Sequence, residues 1–360
     1  MKITFPYWGN YTIAFEALAK KLGFEVVTPE RTSPEAIEEG AKVAPEMYCF
    51  PLKVNLGNYL EAIKRGADTI LMATALGGSC RLRYYAAVQE KVLLDNGKEA
   101  KFITFDQDPK DIYLIIKEIS GASFSKIFKA FYFFYKKLRI IEKLERKAQY
   151  LRPREKKKGE TDRVLVEILN KLRKIENLRE LKKFEKKIFE EFLKIKIDKG
   201  KDIPKIGLIG EIYTVTDGTV NFEVEKKLGE MGIEVRREMD LTYHLKKKLF
   251  PWKDWQIQRK INPYLKSTVG GHGRDAIYEM LNYIKKDFDG IIHLLPAMCM
   301  PEVSIRPILE KIHQESGIPF LSLSIDEQVA EAGIDTRLEA FVDVVRNCHN
   351  QKNLYIHKHS

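Results

Sequence analysis

The chain has 360 residues, 44% of them hydrophobic and 31% charged, with a net charge of +11 and four cysteines. That is apolar material for two or three domains, and no stretch approaches the roughly 18 uncharged apolar residues of a membrane span. The start, Met1-Lys2-Ile3-Thr4-Phe5-Pro6, runs straight into a strand-like segment, which leaves no room for a signal peptide and predicts a cytoplasmic protein with reduced thiols rather than a disulfide framework.

In chain order, Lys2–Phe5 reads as a strand, Tyr11–Leu22 as a helix, Phe24–Val27 as a strand and Ser33–Lys42 as a helix. Pro51–Lys64 follows as a helix with Leu52, Leu56, Leu60 and Ile63 at helical spacing, ended by Gly66. Asp68–Ala73 is a continuous apolar run, as expected of a parallel strand buried on both faces. Tyr84–Leu94 is a helix stopped at Asn96-Gly97, and Ala100–Phe105 is another strand. From about 110 to 200 the pattern is helical throughout, with no cysteine or histidine, a break at Pro153–Gly159 and an aromatic run Phe131-Tyr132-Phe133-Phe134-Tyr135 that suits a helix–helix core better than a ligand channel. Alternation then returns: strand Ile206–Ile209, helix Asn221–Met231, strand Ile233–Arg236, helices through Phe250 and over Arg274–Lys285, strand Gly290–Leu295, helix Pro301–Ser316, strand Pro319–Ser322 and helix Thr336–Asn347.

The expected class is α/β, with two parallel, doubly wound lobes flanking an all-helical segment and a cleft between the lobes. The divisions are an N-terminal α/β lobe at 1–115, a basic helical segment at 116–200, a C-terminal α/β lobe at 201–350, and a polar tail at 351–360 that reads as frayed.

Charge is concentrated in the helical part. Residues 121–200 hold 25 Lys and Arg against 12 Asp and Glu, which leaves 37 basic and 39 acidic residues elsewhere, a net of −2. Such a distribution argues against nucleic acid as the partner. It suits a solvated helical surface, or a basic face that docks an acidic partner.

Two cysteines are written alike, Cys49-Phe50-Pro51 and Cys299-Met300-Pro301, and a third sits in Gly77-Gly78-Ser79-Cys80-Arg81 after an apolar run. Each falls where a strand gives way to a helix, so Cys49 and Cys80 from the first lobe and Cys299 from the second can meet in one cleft. A helix N-terminus offers free N–H groups and a positive dipole end, which favours a thiolate, and proline suits the first turn. Three such thiols fit a 4Fe-4S cluster with one iron open to water or substrate. They also fit zinc completed by His272 or His293, although close Cys pairs are missing, or three buried and inert thiols. Cys348, at the expected end of the last helix, reads as a bystander.

Gly270-Gly271-His272-Gly273-Arg274 precedes a helix and could form a backbone nest for an anion, with Gly271, His272 and Arg274 at hand; it is neither a Walker loop nor a dinucleotide fingerprint. Gly207-Leu208-Ile209-Gly210-Glu211 carries a weaker signal. Lys53, Glu46 and Glu302 lie beside the cysteines and could bind substrate or tune charge, with helix capping the plainer role for Glu302. Asp326, Glu327 and Glu331 read as surface carboxylates. No catalytic residue can be named.

The blocks Pro45-Glu46-Met47-Tyr48-Cys49-Phe50-Pro51-Leu52-Lys53, Gly78-Ser79-Cys80-Arg81-Leu82-Arg83-Tyr84-Tyr85 and Cys299-Met300-Pro301-Glu302 resemble the cysteine motifs of the 2-hydroxyacyl-CoA dehydratase and benzoyl-CoA reductase superfamily, in its uncharacterised acyl-CoA dehydratase activase-related branch. Gly210-Glu211-Ile212-Tyr213, Gly270–Gly273, Asp326-Glu327 and Thr336–Phe341 support the likeness. It covers both α/β lobes in order and leaves out the basic helical region, and Arg81-Leu82-Arg83 departs from the aromatic and glycine residues usual there.

The resemblance implies flavodoxin-like lobes and a 4Fe-4S cluster held by Cys49, Cys80 and Cys299. In the characterised relatives an ATP-hydrolysing activator supplies a low-potential electron, and the dehydratase uses it to remove water from a 2-hydroxyacyl-CoA through a ketyl radical under anaerobic conditions. This chain has no nucleotide motif of the activator, so it matches the electron-accepting component. The partners implied are that activator, a small-molecule or acyl-CoA substrate, and a second subunit in a homo- or heterodimer, with no membrane. Two readings stay open: a dehydratase (lyase) or ATP-dependent reductase component, and a non-catalytic iron-sulfur electron-transfer or accessory protein that docks through its basic helices.

Overall fold

A computed structural model describes every residue except 75–79, 107, 251 and 360. Among the described residues, eight strands form two four-stranded parallel sheets. The first contains β1 (Lys2–Thr4), β2 (Glu25–Val26), β3 (Thr69–Thr74) and β4 (Lys101–Asp106) in the order β2-β1-β3-β4; the second contains β5 (Lys205–Gly210), β6 (Glu234–Arg236), β7 (Gly290–Pro296) and β8 (Phe320–Ile325) in the order β6-β5-β7-β8. Both orders turn back at the pair following the first strand, as in flavodoxin-like doubly wound sheets, and that is where such folds open a crevice beyond the strand ends. Register is continuous across the longest pairs, from Thr69↔Lys101 to Thr74↔Asp106 and from Ile291↔Phe320 to Pro296↔Ile325. All seven residues of β7 are buried, which explains its mostly apolar sequence, and the one polar side chain, His293, is paired with Glu302.

Helix ends follow local capping chemistry. Ser33 accepts a hydrogen bond from the Ala36 N–H ahead of Pro34, Asp108 caps the helix Pro109–Ser120, and Ser123 caps the 28-residue helix Phe124–Leu151. The helix Phe50–Lys64 is buried almost all round because it lies between the lobes. Leu52, Leu56, Tyr59 and Leu60 pack into the first lobe's core, while Phe50 and Val54 join the second lobe's core beside Ile206, Leu208 and Tyr213. Burial of a side chain such as Phe50 is worth about 1.5–3 kcal/mol, so this helix fastens the lobes together. Its close crossing with Pro34–Val43 requires glycine at 57, where a Cβ would stand 1.8 Å from the Ala36 carbonyl oxygen.

The helical segment breaks at Arg152–Arg154 and resumes as Glu160–Arg173 and Leu178–Leu193. Phe133, Phe134, Leu138, Ile141 and Leu144 share a core with Tyr11, Ile13 and Ala14 of the helix Thr12–Leu22, so two rings of the aromatic run pack against the first lobe. On its other side the segment meets the second lobe through ion pairs: Arg146 with Asp240 (2.8 Å), Arg154 with Glu234 (2.6 Å) and Glu145 with Arg237 (2.7 Å).

The chain's end differs from expectation. The last helix runs Glu331–His359 without fraying at 350, since no glycine or proline interrupts the sequence after Gly333. Cys348 therefore lies inside that helix. No helix among the described residues is long and apolar enough to cross a membrane.

Candidate functional site: a cleft of three cysteines

Each cysteine is an N-cap. Cys49 precedes the helix Phe50–Lys64, Cys80 the short 3-10 turn Arg81–Tyr84 that leads into the helix Tyr85–Asp95, and Cys299 the helix Met300–Ser316. All three have extended backbone at the cap position. The segment Gly77-Gly78-Ser79 before Cys80 lies outside the described residues.

The three loops are tied to one another. The Phe50 N–H donates to the Ala297 carbonyl at 3.2 Å, joining the loops of Cys49 and Cys299. The Arg81 guanidinium donates to the carbonyls of Met47 and Met298, each just upstream of a cysteine, so the residue after Cys80 clasps the other two loops. Met298 holds a left-handed φ of 59°, an uncommon conformation for a non-glycine residue, fixed here at the site's edge. Cys49 and Cys299 belong to one buried apolar cluster with Leu52, Leu56 and Tyr85. Gly271 has φ +58°, and a Cβ there would lie 3.1 Å from Pro301 and 3.9 Å from Cys80 Sγ, which brings Cys80 beside the first turn of the Cys299 helix.

Electrostatically the cleft is short of positive charge. Burial pushes Cys49 up to about 11, partly offset by a 2.6 Å hydrogen bond with Tyr85 and by Arg81. Burial also raises Cys80, and burial together with Glu302 raises Cys299 far above the ordinary thiol range. The helix dipole was expected to favour thiolates; desolvation outweighs it, so without a cation the thiols stay protonated. Glu211 acts on all three cysteines from the end of β5. Its carboxylate caps Ile212–Thr216, accepting from Tyr213 and Thr214, and burial raises its pKa. Glu302 is fully buried: Oε2 meets His293 at 2.8 Å and Oε1 has no protein partner among the described residues.

The other sequence candidates have defined partners. Lys53 pairs with Glu327, and His272, half-buried, lies against His244, its pKa lowered by desolvation and by that neighbour. Arg274 pairs with Asp254 (2.9 Å) through one terminal nitrogen, and its buried Nε has no hydrogen-bond partner among the described residues. Gly273 is required by contact, since a Cβ would stand 2.9 Å from Ile305 and 3.2 Å from the Pro301 carbonyl oxygen. Packing thus accounts for the glycines of that loop. Among the described residues no set of three or more His, Cys, Asp or Glu, the three cysteines included, is placed to grip a single metal ion. Sequence reading missed Tyr85 and the clasping role of Arg81. A basic residue directly after a capping cysteine was the available signal.

Two lobes that each deliver cysteine N-caps to a shared crevice define a class of α/β protein with an interlobe thiol site. Comparison with known families agrees: residues 4–76 match the CoA enzyme activase uncharacterised domain and residues 263–345 match the 2-hydroxyglutaryl-CoA dehydratase D-component. These matches, which include Cys49 and Cys299, support the dehydratase and activase-related superfamily in both lobes. Cys80 and the helical segment fall outside both matched ranges. No curated protein matches the chain.

Proposed function

We propose that the chain is a dehydratase-component-type protein that holds a 4Fe-4S cluster on Cys49, Cys80 and Cys299, takes a low-potential electron from an ATP-dependent activator, and reduces or dehydrates a small or CoA-linked substrate at the open iron. The observation that carries this reading is the mutual tethering of three cysteine N-caps in a desolvated cleft whose thiols and buried carboxylates lack a matching cation. Cysteine thiolates are the donor type such a cluster takes, which supports the reading. Four irons spread their ligands wider than one ion does, and bound iron stabilises the thiolates that burial alone disfavours. When bound, the cluster would supply one-electron and Lewis-acid chemistry.

The protein's own groups have separate tasks. Arg81 holds the loops in place and adds the nearest positive charge; Tyr85 hydrogen-bonds the Cys49 sulfur; Glu211 and Glu302 add negative charge, which lowers the potential of a centre placed there. Burial in both cores excludes bulk water from Cys49 and Cys299. We assign the activator as electron donor, a second subunit as partner and a cytoplasmic, anaerobic setting on the family likeness alone.

The test is EPR on anaerobically reconstituted, reduced full-length protein before and after addition of acyl-CoA and 2-hydroxyacyl-CoA candidates. A cluster signal perturbed by one of them supports the catalytic reading. An unperturbed cluster signal favours an electron carrier, and absence of any cluster overturns the proposal.

A further inference from the structure

Away from the cysteine cleft, the loop after β6 and the helices Leu241–Leu249 and Gly273–Lys285 enclose a cavity of about 140 Å³. Glu238, Tyr243, Tyr278, Glu279, Asn282 and Tyr283 line it, with Lys286 completing the wall. Glu279 is 2% exposed, and neither carboxylate oxygen has a hydrogen-bond partner among the described residues. Asp275, one turn earlier and equally buried, is fully served by the Tyr243 hydroxyl (3.0 Å) and Lys247 (2.8 Å). A buried carboxyl left unpaired costs the folded state its full desolvation, so Glu279 is the exception that calls for a reason.

The surroundings select a cation. Facing Glu279 are Asp275 on its own helix and Glu238 and Asp240 from the loop after β6; Arg237 is the opposing charge, and it is committed to Glu145 at 2.7 Å. Lys247 is taken by Asp275, and Lys286, 3.8 Å from Glu238, is half exposed on the cavity's outer side. Tyrosine rings present negative faces that attract ammonium groups. On the scale that gives the cavity about 140 Å³, a water takes about 10–15 Å³, so the pocket has room for roughly ten waters and lies below the roughly 300 Å³ at which drug-sized pockets begin, which suits a small ligand.

We propose that this cavity is a binding site for a small primary ammonium ion, the size of a short alkylamine, seated between Glu279 and the rings of Tyr243, Tyr278 and Tyr283. Binding exchanges one cation for one proton. Burial, Asp275 and Glu238 raise the Glu279 carboxyl well above the usual carboxylate range, so it is protonated before the ligand arrives; the ammonium stabilises the carboxylate, and the proton passes to the buffer. Affinity therefore rises with pH until the amine itself deprotonates, near about 10.

The experiment is calorimetric titration of the full chain with ethylammonium chloride at constant ionic strength, in two buffers of different ionisation enthalpy. Saturable one-to-one binding with buffer-dependent heat equivalent to release of one proton is expected, together with a loss of affinity of about tenfold or more in Glu279→Gln at unchanged melting temperature. Tetrabutylammonium, too large for the cavity, should not bind. Should Glu279→Gln fail to fold, Tyr278→Ala serves in its place, with weakened binding expected from loss of one ring. The proposal is overturned by absence of saturable binding, by affinity equal in the variant, by heat that does not depend on buffer, or by potassium binding as well as ethylammonium does.

Discussion

The cysteine cleft and the seam between the helical segment and the second lobe are both buried, polar and interlobe, yet they are balanced in opposite ways. In the seam the buried charges pair with protein partners among the described residues. Arg237 is 7% exposed and faces Glu145, although its Nε has no hydrogen-bond partner among those residues; Arg152 lies 3.8 Å from Glu225, and Glu142 accepts from both the N–H and the hydroxyl of Thr242. In the cleft, Arg81 is the cationic neighbour of Cys49 and Cys80, Cys299 faces Glu302 and Glu211, and Glu302 Oε1 has no protein partner among the described residues. The contrast teaches that the seam is held mainly by ion pairs within the protein, whereas the cleft sets thiols beside carboxylates with one arginine at its edge.

The sharpest way to break this comparison is to remove a thiol. Cys299→Ala should abolish or convert the cluster, with loss of most bound iron, while the melting temperature stays close to that of the parent; iron assay and circular dichroism on the same sample decide it. The converse change in the seam, Arg237→Met, should leave iron per folded molecule unchanged but cost about 3 kcal/mol in urea denaturation, because it leaves the Glu145 charge with only the Asn10 and Tyr11 hydrogen bonds.

A third prediction uses pH at the contact between lobes, where the Thr32 hydroxyl donates to Asp217 at 2.7 Å. Burial raises Asp217 from 3.8 to about 6. A carboxyl raised on folding adds stability below its ordinary pKa, and that contribution disappears as pH climbs through about 6. The loss amounts to roughly 2–3 kcal/mol. Asp217→Asn should flatten this fall in urea midpoints measured from pH 4 to 7, and an unchanged slope would contradict the assignment. Smaller still, Gly271→Ala should cost about 1–2 kcal/mol for the left-handed backbone and crowd Pro301 beside Cys80. Smallest of all, Cys348→Ala should alter neither iron content nor melting temperature.

Much of the fold was legible because local rules and global structure agree. The run Asp68–Ala73 reads as a strand and lies in β3, Gly290–Leu295 lies in β7, and the helix expected from Ser33 begins there through Ser33 capping ahead of Pro34. The cysteines were legible as caps for the same reason. Their protonation was not, since the helix dipole is a local property while desolvation depends on Phe50 and Val54 being driven into the far lobe. Arg274 looked free in sequence and is paired with Asp254, 20 residues away; Arg81 looked like a departure from the family pattern and clasps loops 34 and 217 positions distant. Such pairings become visible only after the chain has closed on itself. The last helix outran its expected end because polar composition at 350–359 resembles a tail, whereas nothing in it breaks a helix.

The most direct test of the central claim is iron and acid-labile sulfide analysis, with Mössbauer spectroscopy, on full-length protein prepared without oxygen, alongside its Cys49→Ala, Cys80→Ala and Cys299→Ala variants. The account predicts iron and sulfide in equal amounts, a spectrum in which one iron site differs from the others, and disruption of that spectrum by each substitution. Parent protein without bound iron, or a spectrum indifferent to all three substitutions, would contradict it.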